Sequence, residues 1–189
     1  MITTSEVFKT LLPLPHTVCW EQQVDAGQQH LPTRITWRNA KDNRVSERLQ
    51  ALLGEVALGP VEIYLHQASG PMPQFAEAES YHLEIKPQGI VLEAAATWGA
   101  LHGVTTLWLL NCDNQLGGAN ITIDDAPRFA WRGVLIDVAR HFMPLDLLLR
   151  VVDGLAALKM NVLHLHLTDD QAFRIYSQKF AGLASERSY

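Results

Sequence analysis

Val134-Leu-Ile-Asp-Val-Ala139 and Val162-Leu-His-Leu-His-Leu167 are the two stretches whose reading decides the fold. The first is a nearly continuous apolar run, the pattern of a strand buried on both faces. Between them, Leu147, Leu148, Val151, Val152, Leu155 and Leu158 fall within an arc of about 140° at 100° per residue, which is one face of a helix. Pro144 suits the first helical position, and Asp146 sets negative charge near the positive helix end. Lys159 closes the opposite end, and Asn161 leads into the second run. Strand, helix and strand in that order predict a right-handed βαβ unit opening a parallel sheet.

Upstream the texture changes, and Pro127 marks the boundary between a domain over 1–126 and another over 127–189. The first domain alternates short β-rich runs with turn residues. Thr33-Arg-Ile-Thr-Trp37, Val61-Glu-Ile-Tyr-Leu-His66, Tyr81-His-Leu-Glu-Ile85 and Ile90-Val-Leu-Glu-Ala94 are its strands. Lys86-Pro-Gln-Gly89 joins the last two as an antiparallel hairpin. A helix over 43–53 carries Val45, Leu49 and Leu52 at helical spacing and stops at Gly54.

A second helix over 98–110 takes Thr97 as its N-cap. Leu101, Val104, Thr105 and Trp108 line one side, with Gly99, Gly103, Thr106 and Leu110 on the other, so both sides are expected to pack. Residues 111–126 read as a connector with one short strand, Ile121-Thr-Ile123. The expected fold class is α+β for this first domain: an antiparallel sheet carrying two helices.

Composition narrows the function classes. Of 189 residues, 48% are hydrophobic and 19% charged, the balance of a soluble globular protein. No apolar run approaches the ~18 residues that would span a bilayer. A net charge of -5, with Lys and Arg scattered rather than striped, excludes a nucleic-acid partner. The two cysteines, Cys19 and Cys112, lie far apart without metal-ligand spacing and read as two buried free thiols, with a disulfide between them as the alternative. The N-terminal twenty residues lack a basic n-region followed by an apolar h-region. The expectation for the compartment therefore leans to the cytoplasm over the periplasm or secretion.

Ligands of an α/β barrel meet the C-terminal ends of its strands. Those ends read Arg140-His-Phe142 and Thr168-Asp-Asp-Gln171. An arginine fork and a carboxylate placed there can hydrogen-bond sugar hydroxyls, or they can form a structural salt bridge between adjacent strand ends. His164 and His166, two apart on a strand, share a face that Asp137 also fits. They read as a polar network inside the barrel; zinc would need further ligands from other strands. Asp169-Asp170 are neighbours that diverge at a strand end, so they do not form the carboxylate pair that flanks a scissile glycosidic bond. Asp124-Asp125 sits in the connector and reads as solvated. No phosphate loop, serine elbow or CxxC motif occurs.

Pro127-Arg-Phe-Ala-Trp-Arg-Gly-Val-Leu-Ile-Asp-Val-Ala-Arg-His-Phe142 resembles the opening of family 20 β-N-acetylhexosaminidase barrels. Leu158-Lys-Met-Asn-Val-Leu-His-Leu-His-Leu-Thr-Asp-Asp-Gln-Ala-Phe-Arg174 resembles the next block of that family, in the right order and spacing. Ser80-Tyr-His-Leu-Glu-Ile85 and Gly99-Ala-Leu-His-Gly-Val-Thr-Thr-Leu107 resemble the family's accessory domain, although Leu109 stands where the family commonly has Gln.

The resemblance implies an accessory α+β domain followed by the first βαβ unit of a truncated (β/α)₈ TIM barrel. It implies retaining, substrate-assisted hydrolysis of terminal β-linked N-acetylhexosamine, with a glycan or chitooligosaccharide as substrate and no metal or organic cofactor. Arg140 would bind sugar hydroxyls, and Asp169 would support the hydrogen-bond network of the catalytic acid. The Asp-Glu pair that does the acid/base work would lie beyond Tyr189. A complete barrel needs about 250 residues, so this chain is expected to be inactive alone and to offer apolar surface for self-association. Two other readings compete: a metal-dependent TIM-barrel hydrolase using His164 and His166, and a non-catalytic packing or carbohydrate-binding fragment.

Overall fold

The computed structural model describes residues 11, 13–22, 32–74, 77–112, 116 and 119–184. The first ten residues of the N-terminal stretch and parts of the 111–126 connector lie outside them. The chain divides into two compact units, Met1–Ala130 and Trp131–Tyr189.

The first unit is built on a six-stranded sheet. Its strands are β1 (Thr17–Gln22), β2 (Arg34–Asn39), β3 (Pro60–Gln67), β4 (Tyr81–Lys86), β5 (Gly89–Ala96) and β6 (Ala119–Asp125), with helices α1 (Asn43–Leu53) and α2 (Thr97–Cys112). Spatial order is β1-β6-β4-β5-β3-β2. The antiparallel sheet expected from the sequence is in fact mixed. β2, β3 and β5 run parallel to one another, while β1, β6, β4 and β5 pair antiparallel. The cause is α1, which carries the chain back so that β3 must start again at the same edge as β2.

Two further expectations change. β6 is not a connector strand: it lies between β1 and β4, and its Ile121 and Ile123 are fully buried. β1, where no strand is expected from the sequence, pairs along its whole length with β6.

One face of the sheet carries the core. Val61, Ile63, Leu65, Leu83, Ile85, Ile90, Leu92 and Ala94 are all buried at alternate positions of β3, β4 and β5. Val45, Leu49 and Leu53 of α1 and Ala100, Val104, Leu107 and Leu110 of α2 complete the cluster. Truncating one such leucine to alanine costs about 2–5 kcal/mol. α2 comes so close to the sheet that a Cβ on Gly103 would collide with Leu92, and one on Gly99 with the Ser80 carbonyl. These two glycines serve close packing. Gly89 closes the β4–β5 turn at φ +150, and a Cβ there would also meet the Pro60 carbonyl oxygen at 2.7 Å.

A polar clamp ties the helix starts together. Asp42 caps α1 by accepting from the Arg44 backbone N–H at 3.0 Å, and its carboxylate also takes Arg44 Nε and Nη2. Thr97, expected to cap its own helix, instead donates its hydroxyl to Asp42 Oδ2 at 2.8 Å and accepts from the Ser69 N–H at 2.9 Å. Arg44 also lies 4.9 Å over the Trp98 ring. The Arg44 hydrogen bond, helped by Thr97 and against the effect of burial, holds the Asp42 carboxyl at about 2.

The second unit is a βαβ piece. Strands β7 (Gly133–Asp137) and β8 (Val162–His166) pair in parallel and are joined through α3 (Leu145–Ala157). Pro144 is the cap rather than the first helical residue, with extended ψ of 151. Lys159 follows the helix at φ 56, a left-handed stop usually given to glycine. No residue of α3 is buried, and Leu135, Leu145, Leu149 and Val152 are exposed.

Cys19 and Cys112 are free, as read from the sequence, but exposed rather than buried. No helix among the described residues is long and apolar enough to cross a membrane.

Candidate functional site

Parallel pairing brings the ends of β7 and β8 to the same edge, where Asp137 and His166 stand opposite each other in register. Beyond these ends the chain makes two turns, and hydrogen bonds join them. The Val138 and Ala139 N–H groups both donate to the His166 carbonyl at 3.2 Å. From the other turn Arg174 reaches back, with Nε donating to the Val138 carbonyl at 2.9 Å and Nη2 to that of Ala139 at 3.0 Å. Its guanidinium also lies 5.2 Å over the Phe142 ring. Val138 and Ala139 are buried by this wrapping.

The turns place four charged or ionisable side chains together. Arg140 Nε donates to Asp169 Oδ2 at 3.2 Å and lies 3.3 Å from Asp137 Oδ2. His166 Nε2 meets the same Asp169 oxygen at 3.2 Å. A carboxylate can only accept, so His166 carries its proton on Nε2. The other Asp169 oxygen accepts from the N–H groups of Gln171 and Ala172 at 2.8 and 3.1 Å. The Gln171 N–H, then that of Ala172, then His166 and Arg140, hold the Asp169 carboxyl at about 2 against desolvation. Asp169 is therefore an anion with both oxygens occupied, and Arg140 is 63% exposed at the mouth of the cluster.

Arg140 and Asp169, the two residues singled out from the sequence, are thus in direct contact. His164 and His166 are not grouped in the same way. His164 stands opposite Leu135, one step back along β8, and is exposed. Asp137, His166 and Asp169 could converge on a metal ion among the described residues. Arg140 already supplies the cation between the two carboxylates, so the set is satisfied by an ion pair. Asp170 is exposed at the surface beside this cluster.

A separate concavity of about 440 Å³ lies on the first unit, lined among others by His16, His66, His82, Glu93 and Asp124. Each histidine there faces a carboxylate: His66 meets Glu93 and His82 meets Asp124, both at 2.7 Å, and His16 lies 3.6 Å from Asp125. Burial lowers the His82 pKa, but Asp124 and Glu84 outweigh it and raise the value above the ordinary one.

The comparisons with known proteins bear on both units. Residues 10–126 match the model for glycosyl hydrolase family 20, domain 2, and residues 129–189 match the model for the family's catalytic domain. The chain belongs to glycosyl hydrolase family 20. Human beta-hexosaminidase subunit beta is 40% identical over 132 residues, covering 68% of this chain and 24% of its own length. The N,N'-diacetylchitobiase of Vibrio harveyi is 32% identical over 177 residues, 92% of this chain and 20% of that protein.

Solved structures of family 20 agree. The chitobiase of Flavobacterium johnsoniae matches 100% of this chain and 32% of its own at 30% identity, with a TM-score of 0.73. A mutant Streptomyces plicatus beta-hexosaminidase in complex with product (GlcNAc) matches 94% and 38%, also at 30% identity, with a TM-score of 0.63. This family 20 chain spans about a quarter of the length of the curated relatives it matches.

Two members of the cluster had only weak sequence signals. Asp137 interrupts an apolar strand run, a signal for an inward polar role but not for its partner. Arg174 closes the second block that resembles the family but carries no role from it, because a single arginine after a strand end is ordinary on a surface.

Proposed function

We propose that the protein acts as a β-N-acetylhexosaminidase, removing terminal non-reducing β-linked N-acetylhexosamine from glycans or chitooligosaccharides. The observation that carries this reading is the Arg140–Asp169 contact at the shared end of two parallel strands, in a segment matching the family's catalytic domain. In this reading residues 1–126 are the accessory domain and residues 127–189 open the catalytic (β/α)₈ barrel, at whose strand ends substrates meet protein.

Arg140 binds sugar hydroxyls through its exposed guanidinium. Asp169, ionised and fixed by backbone donors, supports the hydrogen-bond network of the catalytic acid. The reaction is retaining and substrate-assisted: the acetamido oxygen of the substrate attacks its own anomeric carbon as the glycosidic bond breaks, and the departing alcohol takes its proton from the catalytic acid. Water then attacks the same carbon, gives a proton back to that group, and opens the oxazoline-type intermediate to restore the acetamide. The relatives' names, beta-hexosaminidase and chitobiase, favour substrates of this class.

The test is a comparison of two chromogenic substrates on a complete family 20 enzyme carrying this segment, native or grafted. The β-N-acetylglucosaminide is hydrolysed and the β-glucoside, which lacks the acetamido nucleophile, is not. Equal turnover of both contradicts the reading.

A further inference from the structure

We propose that Asp137 is a positioning residue that fixes the direction in which Arg140 presents its guanidinium to the substrate. The inference rests on the substrate-binding role proposed above for Arg140. It comes from how the oxygens of the cluster are shared out.

Asp137 gives both carboxylate oxygens to Arg140. Oδ1 accepts from the Arg140 backbone N–H at 3.0 Å, and Oδ2 lies 3.3 Å from Arg140 Nε. Asp169 cannot do the same work. Its Oδ1 is taken by the Gln171 and Ala172 N–H groups, and its Oδ2 is divided between Arg140 and His166. Asp137 is therefore the side chain that ties Arg140 at two points, the main chain and the Nε edge.

The tie has a chemical consequence. A guanidinium has five N–H donors, one on Nε and four on the two terminal nitrogens. Here Nε is held between two carboxylates, while among the described residues Nη1 and Nη2 take no protein partner. The four outward donors are the ones left for a ligand, and their plane is set by the anchored edge. Without Asp137, Nε would keep one shared carboxylate, and the long side chain would recover rotamers that point its fork elsewhere.

The test uses Asp137→Asn in the complete enzyme. Asparagine keeps Oδ1 as acceptor for the Arg140 N–H, so the turn is retained, but it removes the charge that holds Nε. The expected result is a rise in KM, and in the dissociation constant of N-acetylglucosamine, of about threefold to thirtyfold, with kcat changed less and the melting temperature nearly unchanged. In an Arg140→Lys background the same substitution changes KM by less than twofold, because there is no longer a fork to aim. Should Asp137→Asn fail to fold, Asp137→Ser, which keeps an oxygen for the turn, replaces it in the same cycle.

The outcomes separate the two claims. If Arg140→Lys weakens binding but Asp137→Asn does not, the positioning role is wrong and the Arg140 assignment stands. If Asp137→Asn acts equally in both backgrounds, Asp137 works through something other than Arg140 and the inference fails. If Arg140→Lys has no effect, the underlying reading fails and takes the inference with it.

Discussion

The Arg140 guanidinium and the Asp169 carboxylate meet at 3.2 Å although 29 residues of chain separate them. The contact needs a strand, a helix and a second strand in parallel, followed by two turns that curl toward each other. Its two members have opposite surroundings: Arg140 is 63% exposed and Asp169 only 12%. One side is open to a ligand, and the other is fixed by the backbone.

The pH dependence follows from Asp169. Its folded carboxyl is held at about 2, below the ordinary 3.8, so its contribution to stability is fully present above about 3.8 and is lost as pH falls toward 2. It is ionised throughout the neutral and mildly acidic range. In the complete enzyme, Asp169→Asn should lower kcat/KM by about tenfold or more at pH 7, the worth of one charged hydrogen bond. The acid limb of the kcat/KM profile should stay where it was, because another group sets it. A limb displaced by the substitution would contradict the assignment.

Metal binding separates the glycosidase from its metal-dependent rival. Arg140 Nε already sits within 3.3 Å of both Asp137 and Asp169. Zinc would have to displace it, and at most three ligands converge there among the described residues. Calorimetric titration with zinc at neutral pH should show no stoichiometric, micromolar site. One equivalent bound tightly, and abolished by His166→Ala, would support the rival.

Stability of the first unit should depend on Asp42. Removing the carboxylate takes away a helix cap worth about 1 kcal/mol and charge-assisted hydrogen bonds worth about 1.5–3 kcal/mol. Asp42→Ala should therefore lower the urea-unfolding free energy of the chain by about 2–4 kcal/mol. Because the Asp42 carboxyl is held at about 2, the difference from the parent chain should persist above about pH 4 and close as pH falls toward 2. A difference that does not vary with pH would assign the loss to packing instead.

Much of this was legible in the sequence, for reasons that particular residues display. The α1 boundaries could be read because Val45, Leu49 and Leu52 repeat at helical spacing and Gly54 follows. β7 and β8 could be read because apolar runs of five or six residues flank one clear helix. Sheet topology was less accessible. Nothing local in β2 or β3 states that they are parallel; that follows from α1 returning the chain to the same edge. β6 is hard to read locally because Ala119-Asn-Ile-Thr-Ile-Asp-Asp125 has only two large apolar residues, and its place inside the sheet is a long-range fact. A threonine at a helix start has the chemistry of a cap, and only the fold brings Asp42 and Ser69 within reach of the Thr97 hydroxyl. At the site, the type and place of Arg140 and Asp169 were visible. The sharing of oxygens among Asp137, Asp169 and His166 was not, because it depends on two turns meeting.

The most direct measurement of the central claim is the effect of Arg140→Lys on kcat/KM, with thermal unfolding recorded on the same complete enzyme. Lysine keeps the charge but replaces a planar fork by one compact donor group. If Arg140 binds sugar hydroxyls, kcat/KM toward a chromogenic β-N-acetylglucosaminide falls by at least about tenfold, roughly 1.4 kcal/mol, while the melting temperature holds. If Arg140 is only a strut between strand ends, the melting temperature falls and the folded fraction keeps normal kinetics. Unchanged kcat/KM removes Arg140 from the substrate site and contradicts the account.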